Sequence, residues 1–240
     1  MRTSNPALNI GNMSQRGSFE SAGSMSIQGT INKTAILLGI AVLSASWVWA
    51  NVTTMISFVT PAAVVGFILA IVTIFKKEWA PVTSFLYVLC EGVVLGGLSA
   101  IFEQRYPGIV IQAVGLTFGV LFCMLVAYKS ELIKVTRKFR LGVIVATGSI
   151  VLLYIVNLVM SFFGANIPFI HQSGAIGIGF SILVVIIASL NLILDFDLIE
   201  RASKAGAPAY MEWYGAFAIM ITLIWLYLEI LRLLGKTRRR

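Results

Sequence analysis

Charged residues are scarce in this sequence. They make up 12% of its 240 residues, roughly half the share of an ordinary soluble domain, while hydrophobic residues make up 58%. Mean hydropathy is +0.93. A chain with so few charges cannot cover a soluble surface, so the composition excludes an ordinary soluble domain and predicts a protein that crosses a membrane several times.

Reactive side chains and catalytic motifs are also few. Cys90 and Cys123 lie in separate apolar runs without CxxC spacing, so we expect packing roles and neither a disulfide framework nor a metal site. His171, the only histidine, lies in a short link and is expected to be solvated. The HExxH, GxSxG and phosphate-binding GxxxxGK[ST] patterns are all missing. We therefore predict that the protein is not an enzyme and needs no cofactor.

Long apolar runs dominate what remains. A hydrocarbon core about 30 Å thick is crossed by about 20 apolar residues of helix. The sequence offers seven such runs, at approximately 34–50, 59–75, 82–102, 109–127, 141–163, 174–194 and 214–234. We predict an all-α fold with a polar cytoplasmic N-terminal tail at 1–33, a seven-helix transmembrane domain at 34–235 and a basic C-terminal tail at 236–240. The short links favour antiparallel neighbours in one bundle.

The basic residues predict the orientation. Lys and Arg cluster in the N-terminal tail and in the links after the second, fourth and sixth runs, whereas the opposite links carry only Arg105. This bias predicts a cytoplasmic N-terminus, and it attributes the net charge of +8 to topology and anionic headgroups rather than to nucleic acid. The basic tail KTRRR conflicts with the bias, because seven crossings place it outside. Either the rule is violated there, or one late segment is re-entrant; we prefer seven crossings because the last run is long enough to span.

Small residues recur at four-residue spacing in the third run. Gly92, Gly96 and Ala100 would lie on one face of a helix. Small residues allow a neighbouring helix to approach closely within a membrane, so we predict tight packing on this face.

Acidic residues inside the apolar runs are the candidate functional groups. Asp195 and Asp197 lie in the phrase NLILDFDLIE at the end of the sixth run, and Glu91 lies in the middle of the third. A charged side chain at the bilayer centre costs about 2.5 to 3.5 kcal/mol on insertion scales, so acids kept there usually face water, an ion or a partner. Asp195 and Asp197 are two residues apart and should lie on different faces of a helix. We therefore expect Asp195 to have a partner on another helix, with Glu91 and Glu229 as candidates. Two such acids could also form an intramembrane protease, although a recognisable protease motif is lacking.

Several phrases in a fixed order resemble one family. They are the polar tail with SNPAL (4–8), the seven apolar runs, EGVVLGGLSAIFE (91–103), DFDLIE (195–200) and WLYLEILRLL (225–234). Together, over nearly the whole chain, they resemble the bacterial Bax inhibitor-1-like (transmembrane Bax inhibitor motif) family. The resemblance implies a bacterial inner-membrane protein whose last helix is wrapped by the other six and which acts as a pH-sensitive calcium leak channel.

The family's proton sensor maps onto this chain only in part. The resemblance implies two aspartates, one ending the sixth helix and one in the seventh, that share a proton and latch the pore; Asp195 matches the first. Aligning the Leu-Arg-Leu-Leu phrase places Thr222 at the second position, whereas aligning the acid after Leu-Tyr-Leu places Glu229 there. Glu229 could instead pair with Arg232 one turn later. Both registers are open at this point.

The sequence thus leads to a hypothesis of passive cation conduction under proton control, with Ca²⁺ as the expected ion. Its pH-sensing and ion-path residues are Asp195, Asp197, Glu91 and Glu229, and Asp195 and Glu91 are the expected Ca²⁺ contacts. The expected partners are the lipid bilayer, Ca²⁺ and protons, with no nucleic acid. One alternative is a non-conducting regulator that binds other membrane proteins, such as a quality-control protease; another is a proton-coupled transporter.

Overall fold

The computed structural model describes residues 23–164 and 174–238. In this part of the chain, seven helices are long and apolar enough to cross a membrane, and together they confirm the predicted all-α fold. They are α1 (Ile27–Ala50), α2 (Val52–Phe75), α3 (Ala80–Arg105), α4 (Ile109–Lys129), α5 (Arg137–Phe162), α6 (Ala175–Lys204) and α7 (Met211–Arg238). The SNPAL phrase and His171, both singled out in the sequence, lie outside the described residues.

The helices are longer than the apolar runs. α1 begins at Ile27, inside the predicted tail, because the Ser26 hydroxyl caps it by accepting a hydrogen bond from the Gly29 amide at 2.9 Å. α6 continues beyond the sixth run to Lys204, and α7 continues to Arg238. An apolar run measures the bilayer, whereas a helix ends where its backbone is capped, so charged turns extend beyond the run.

The bundle has two membrane faces. We call the face at which α1 begins the N-side and the face at which α7 ends the C-side. With seven crossings, α2, α4 and α6 end at the N-side, where the basic links lie.

Helix α7 lies at the centre of the bundle. It packs against α1, α3, α4 and α6, and it is more buried than the other six helices. Helix α2 instead packs on α3, and α5 packs on α6. The last helix is therefore central as predicted, although only four helices contact it extensively.

Close approach of two backbones fixes the position of α1 against α3. A Cβ atom at Gly92 would lie 2.8 Å from the carbonyl oxygen of Ala41, and one at Gly96 would meet the carbonyl of Ala45 still more closely. Side chains at these positions would push the helices apart, which confirms the tight packing predicted from the glycine spacing.

Two apolar clusters hold α7 in place. One joins it to α4 and α6 through residues such as Leu192 and Leu226. The other joins it to α1 and α3, where the ring of Phe217 lies 5.1 Å from that of Tyr87 in an edge-to-face arrangement. The polar groups described below lie between these packed surfaces.

Candidate functional site

Asp195 meets the central helix through a hydroxyl group. Thr222 Oγ1 on α7 donates a hydrogen bond to Asp195 Oδ2 on α6 at 2.6 Å. The same hydroxyl lies 3.2 Å from the carbonyl oxygen of Ala218, one turn earlier. Thr222 lies about 12 Å along the axis of α7 from Tyr214, where the seventh apolar run begins. The contact therefore lies well inside the membrane and joins the last two helices.

Asp195 has no basic partner among the described residues. None of the ion pairs in this part of the chain includes it, and its side chain is only partly buried. A carboxylate in such surroundings is costly unless water or a cation reaches it. Asp195, like Glu91, is therefore an acid whose charge no basic side chain compensates in the described structure.

Asp197 has a different environment two residues later. Its Oδ2 contacts Arg140 of α5 at 3.0 Å and Arg201 of α6 at 2.6 Å. Successive residues turn by about 100° around a helix, so Asp197 faces away from Asp195, as predicted. The carboxylate of Asp197 anchors α5 to α6.

Glu91 lies against α2 and not against Asp195. A Cβ atom at Gly66 of α2 would lie 3.0 Å from Glu91 Oε1, so the missing side chain makes room for this carboxyl. Helices α3 and α6 share no substantial interface, and no hydrogen bond or ion pair within residues 23–164 and 174–238 joins the two acids. The pairing of Glu91 with Asp195 that the sequence left open is not formed.

Glu229 forms the centre of a third polar cluster. Its Oε1 accepts hydrogen bonds from the Tyr154 hydroxyl at 2.8 Å, from Arg232 at 2.7 Å and from the indole nitrogen of Trp225 at 3.3 Å. The residue is 1% exposed, and its Oε2 atom is buried without a hydrogen-bond partner in the described structure. Glu229 thus pairs with Arg232, and Thr222 is the α7 residue that faces Asp195.

Comparison with known proteins identifies the family. A family model described as Bax inhibitor 1 like matches residues 5–239, nearly the whole chain. The chain belongs to the Bax inhibitor 1-like family. No curated protein and no solved structure matches it. Family membership and the seven apolar helices together indicate a multi-pass membrane protein.

Within this family member, the N-side carries a strap that the sequence did not indicate. Glu212 Oε1, at the start of α7, accepts hydrogen bonds from the Ser26 amide at 2.7 Å and the Ser26 hydroxyl at 2.8 Å, and the same carboxylate pairs with Lys33. The Met25 amide donates to the Ala207 carbonyl at 2.7 Å. The segment before α1 is therefore tied to the link between α6 and α7, the two helices that hold Asp195 and Thr222.

Sequence reasoning also missed Tyr154 and Lys236. Tyr154 lies in an apolar run, and its hydroxyl was the only feature of the sequence there that indicated a polar contact. Lys236 was assigned to the basic tail, yet it is 6% exposed and its ammonium group donates to the Gly177 carbonyl at 3.0 Å and to Ser181 Oγ at 2.8 Å. The predicted tail therefore begins inside the bundle.

The donor set does not fit a tight metal site. Within the described residues, no group of three or more His, Cys, Asp or Glu side chains is placed to hold one ion. Ca²⁺ in a resident site takes six to eight oxygen ligands. Single carboxylates such as Asp195 suit an ion in passage better than a bound one.

Proposed function

We propose that this member of the family passively conducts cations across the membrane under proton control, with Ca²⁺ as the expected ion. The contact between Asp195 and Thr222 carries the proposal. It joins the central helix to α6 inside the membrane, and its acid has no counter-charge in the described structure. A change in the charge of Asp195 would act directly on this helix contact.

The proton response is expected to belong to one acid. A threonine hydroxyl does not titrate in the physiological range, so the Asp195 contact cannot share a proton as two carboxylates do. When Asp195 is protonated, its carboxyl group and the Thr222 hydroxyl form a hydrogen bond between two neutral groups. Ionised Asp195 presents an uncompensated carboxylate, which favours water and a hard cation in place of the closed contact.

Calcium flux into proteoliposomes across a pH series tests the proposal. Wild type, Asp195→Asn and Thr222→Val should be compared at equal protein content. We expect pH-dependent flux in wild type and pH-independent flux in Asp195→Asn, because the amide cannot titrate. Thr222→Val keeps the acid but removes the hydroxyl. Its flux should still depend on pH, but the flux at each pH should differ from that of wild type. Absence of cation flux at every pH in wild type contradicts conduction.

A non-conducting regulator is the second candidate. Its partner would bind an outward apolar face such as that of α2, which packs extensively on α3 alone and exposes Phe67 and Ile68. Such a face could receive a helix of another membrane protein. Asp195→Asn should leave partner binding intact in this case, whereas replacement of Phe67 should weaken it. Cross-linking in native membranes measures both.

A further inference from the structure

One face of the central helix remains half-exposed from end to end. Its residues follow one another at intervals of three or four, which places them on a single side of α7. We call this face the α7 stripe; it consists of Tyr214, Ala218, Ile221, Trp225, Leu228 and Arg232. Neighbouring residues such as Ile219, Leu223 and Leu226 are buried. The stripe extends about 27 Å along the helix axis, close to the hydrocarbon thickness of a bilayer.

The α7 stripe faces the gap between α3 and α6. On one side of it, Phe217 packs on Tyr87 of α3; on the other side, Thr222 contacts Asp195 of α6. Helices α3 and α6 share no substantial interface, although both pack against α7. The gap is therefore a break in the ring of helices around α7.

Polar groups close the gap at both ends. At the N-side, the ammonium group of Lys77 lies 5.2 Å from the centroid of the Tyr214 ring. At the C-side, Tyr154 of α5 reaches Arg232 at 2.9 Å and Glu229 at 2.8 Å. The acid beside the middle of the stripe is the stronger sign of water, because Asp195 has no basic partner in the described structure and an acid at that depth usually faces water, an ion or a partner.

Two carboxyls border the same gap at different depths. Asp195 lies beside the stripe through Thr222, and Glu229 lies two turns further towards the C-side. Glu229 Oε2 is buried and unpartnered in the described structure, so it can accept a hydrogen bond from water. Between the two acids the stripe presents Trp225 and Leu228, an apolar section of the kind that gates by excluding water.

We propose that the gap over the α7 stripe is the water-filled path that cations take. From the N-side, the path passes Asp195 first. At the C-side it is closed by the cluster of Tyr154, Arg232 and Glu229. The inference rests on the proposed conduction. It adds the route of the ions and a second gate, the first being the contact between Asp195 and Thr222. Trp225 links the apolar section to that gate, because its indole N–H donates to Glu229 Oε1.

Cysteine accessibility tests the route. The chain has two cysteines, Cys90 and Cys123, and both are free, so a background with alanine at both positions is simple to prepare. In that background, Ala218→Cys and Leu228→Cys lie on the stripe, while Ile219→Cys and Leu226→Cys are buried neighbours at matched depth. Leu152→Cys on α5, 62% exposed, is a control for a face in contact with lipid. The probe is a membrane-impermeant cationic methanethiosulfonate, applied to proteoliposomes while Ca²⁺ flux is recorded.

We expect the stripe cysteines to react at least about tenfold faster than the buried and lipid-facing controls, because only a hydrated thiol ionises readily. Their modification should also remove most of the flux. If Ca²⁺ flux is present but the stripe cysteines do not react, the route is overturned and the proposal of conduction still stands. Reactive stripe cysteines without flux in the unmodified background overturn conduction and the route with it, although the gap is then still hydrated. Equal reactivity on the stripe and at Leu152→Cys also overturns the route.

Discussion

Asp195 and Asp197 are the same residue type, two positions apart on one helix, yet their environments are opposite. Asp197 is held by two arginines, one from α5 and one from its own helix. Asp195 has a threonine hydroxyl and no basic partner in the part of the chain that the structure describes. The phase of α6 produces the difference, since it directs Asp197 towards α5 and Asp195 towards α7.

The two aspartates differ in what a gained or lost proton would do to the contact that each one makes. An acid that is already neutralised by two cations gains little from a proton or a passing ion. An acid with a neutral partner changes the charge of its contact whenever it gains or loses a proton. Asp195 therefore suits a response to pH, and Asp197 suits a fixed tie between two helices.

Replacing the hydroxyl partner by a second acid should have the largest effect. Thr222→Asp would place two carboxyls within hydrogen-bond reach, and such a pair titrates as a coupled unit. We expect the pH profile of Ca²⁺ flux to change from one step to two steps separated by more than about one pH unit. Thr222→Asn has nearly the same size without a second titrating group and should keep the single step. A single unchanged step in Thr222→Asp would show that residue 222 does not act on Asp195.

Removing a buried acid extends the comparison to Glu229. Glu229→Ala leaves Arg232 without its carboxylate, as well as losing the hydrogen bond from Tyr154. Arg232 is 39% exposed and can turn towards water or headgroups. We therefore expect a loss of about 1 to 3 kcal/mol in the free energy of unfolding in detergent micelles, below the full cost of breaking a buried ion pair.

The matched variant for this prediction is Tyr154→Phe, which removes one hydroxyl and keeps the ion pair. It should cost about 1 kcal/mol, as expected for a single hydrogen bond. Equal losses of unfolding free energy in Glu229→Ala and Tyr154→Phe would mean that the ion pair between Glu229 and Arg232 adds nothing to stability.

Most of the fold followed from the sequence, because an apolar run long enough to span a bilayer has few alternatives to a helix. Helix ends were less predictable, since Ser26 and Lys204 extend α1 and α6 with residues that are too polar to belong to the runs. The central position of α7 came from the family resemblance. The partly exposed stripe on α7 depends on which helices do not contact each other, and no local sequence pattern encodes that.

The site was predictable only where a single helix determines it. The opposite directions of Asp195 and Asp197 follow from helix phase, and the pairing of Glu229 with Arg232 follows from their spacing. The partner of Asp195 lies on another helix, so the sequence left Thr222, Glu229 and Glu91 open. The structure places Thr222 there because the register of α7 against α6 is set by apolar packing around Leu192 and Leu226.

Neutralising the anchoring acid should cost less than removing Glu229 and should spare the pH response. Asp197→Asn leaves Arg140 and Arg201 without their carboxylate, but both arginines are partly exposed, at 35% and 49%. We expect the variant to lose about 1 kcal/mol of its free energy of unfolding. High salt should make this difference smaller, because it already screens the ion pairs of the wild-type protein. The pH dependence of flux should stay as in wild type. Loss of that dependence in Asp197→Asn would remove the distinction between the two aspartates.

The smallest effect is expected at Lys204, about two turns beyond Asp197 at the N-side surface. Lys204 pairs with Glu200 at 2.5 Å, but its side chain is 73% exposed, so water and salt screen the pair. Lys204→Ala should change neither the unfolding midpoint in micelles nor the flux profile by a measurable amount. Tyr128→Phe tests the same acid from the buried side, because the Tyr128 hydroxyl donates to Glu200 at 2.5 Å and joins α4 to α6. A larger effect from Lys204→Ala than from Tyr128→Phe would mean that surface charge, and not contact between helices, holds this end of α6.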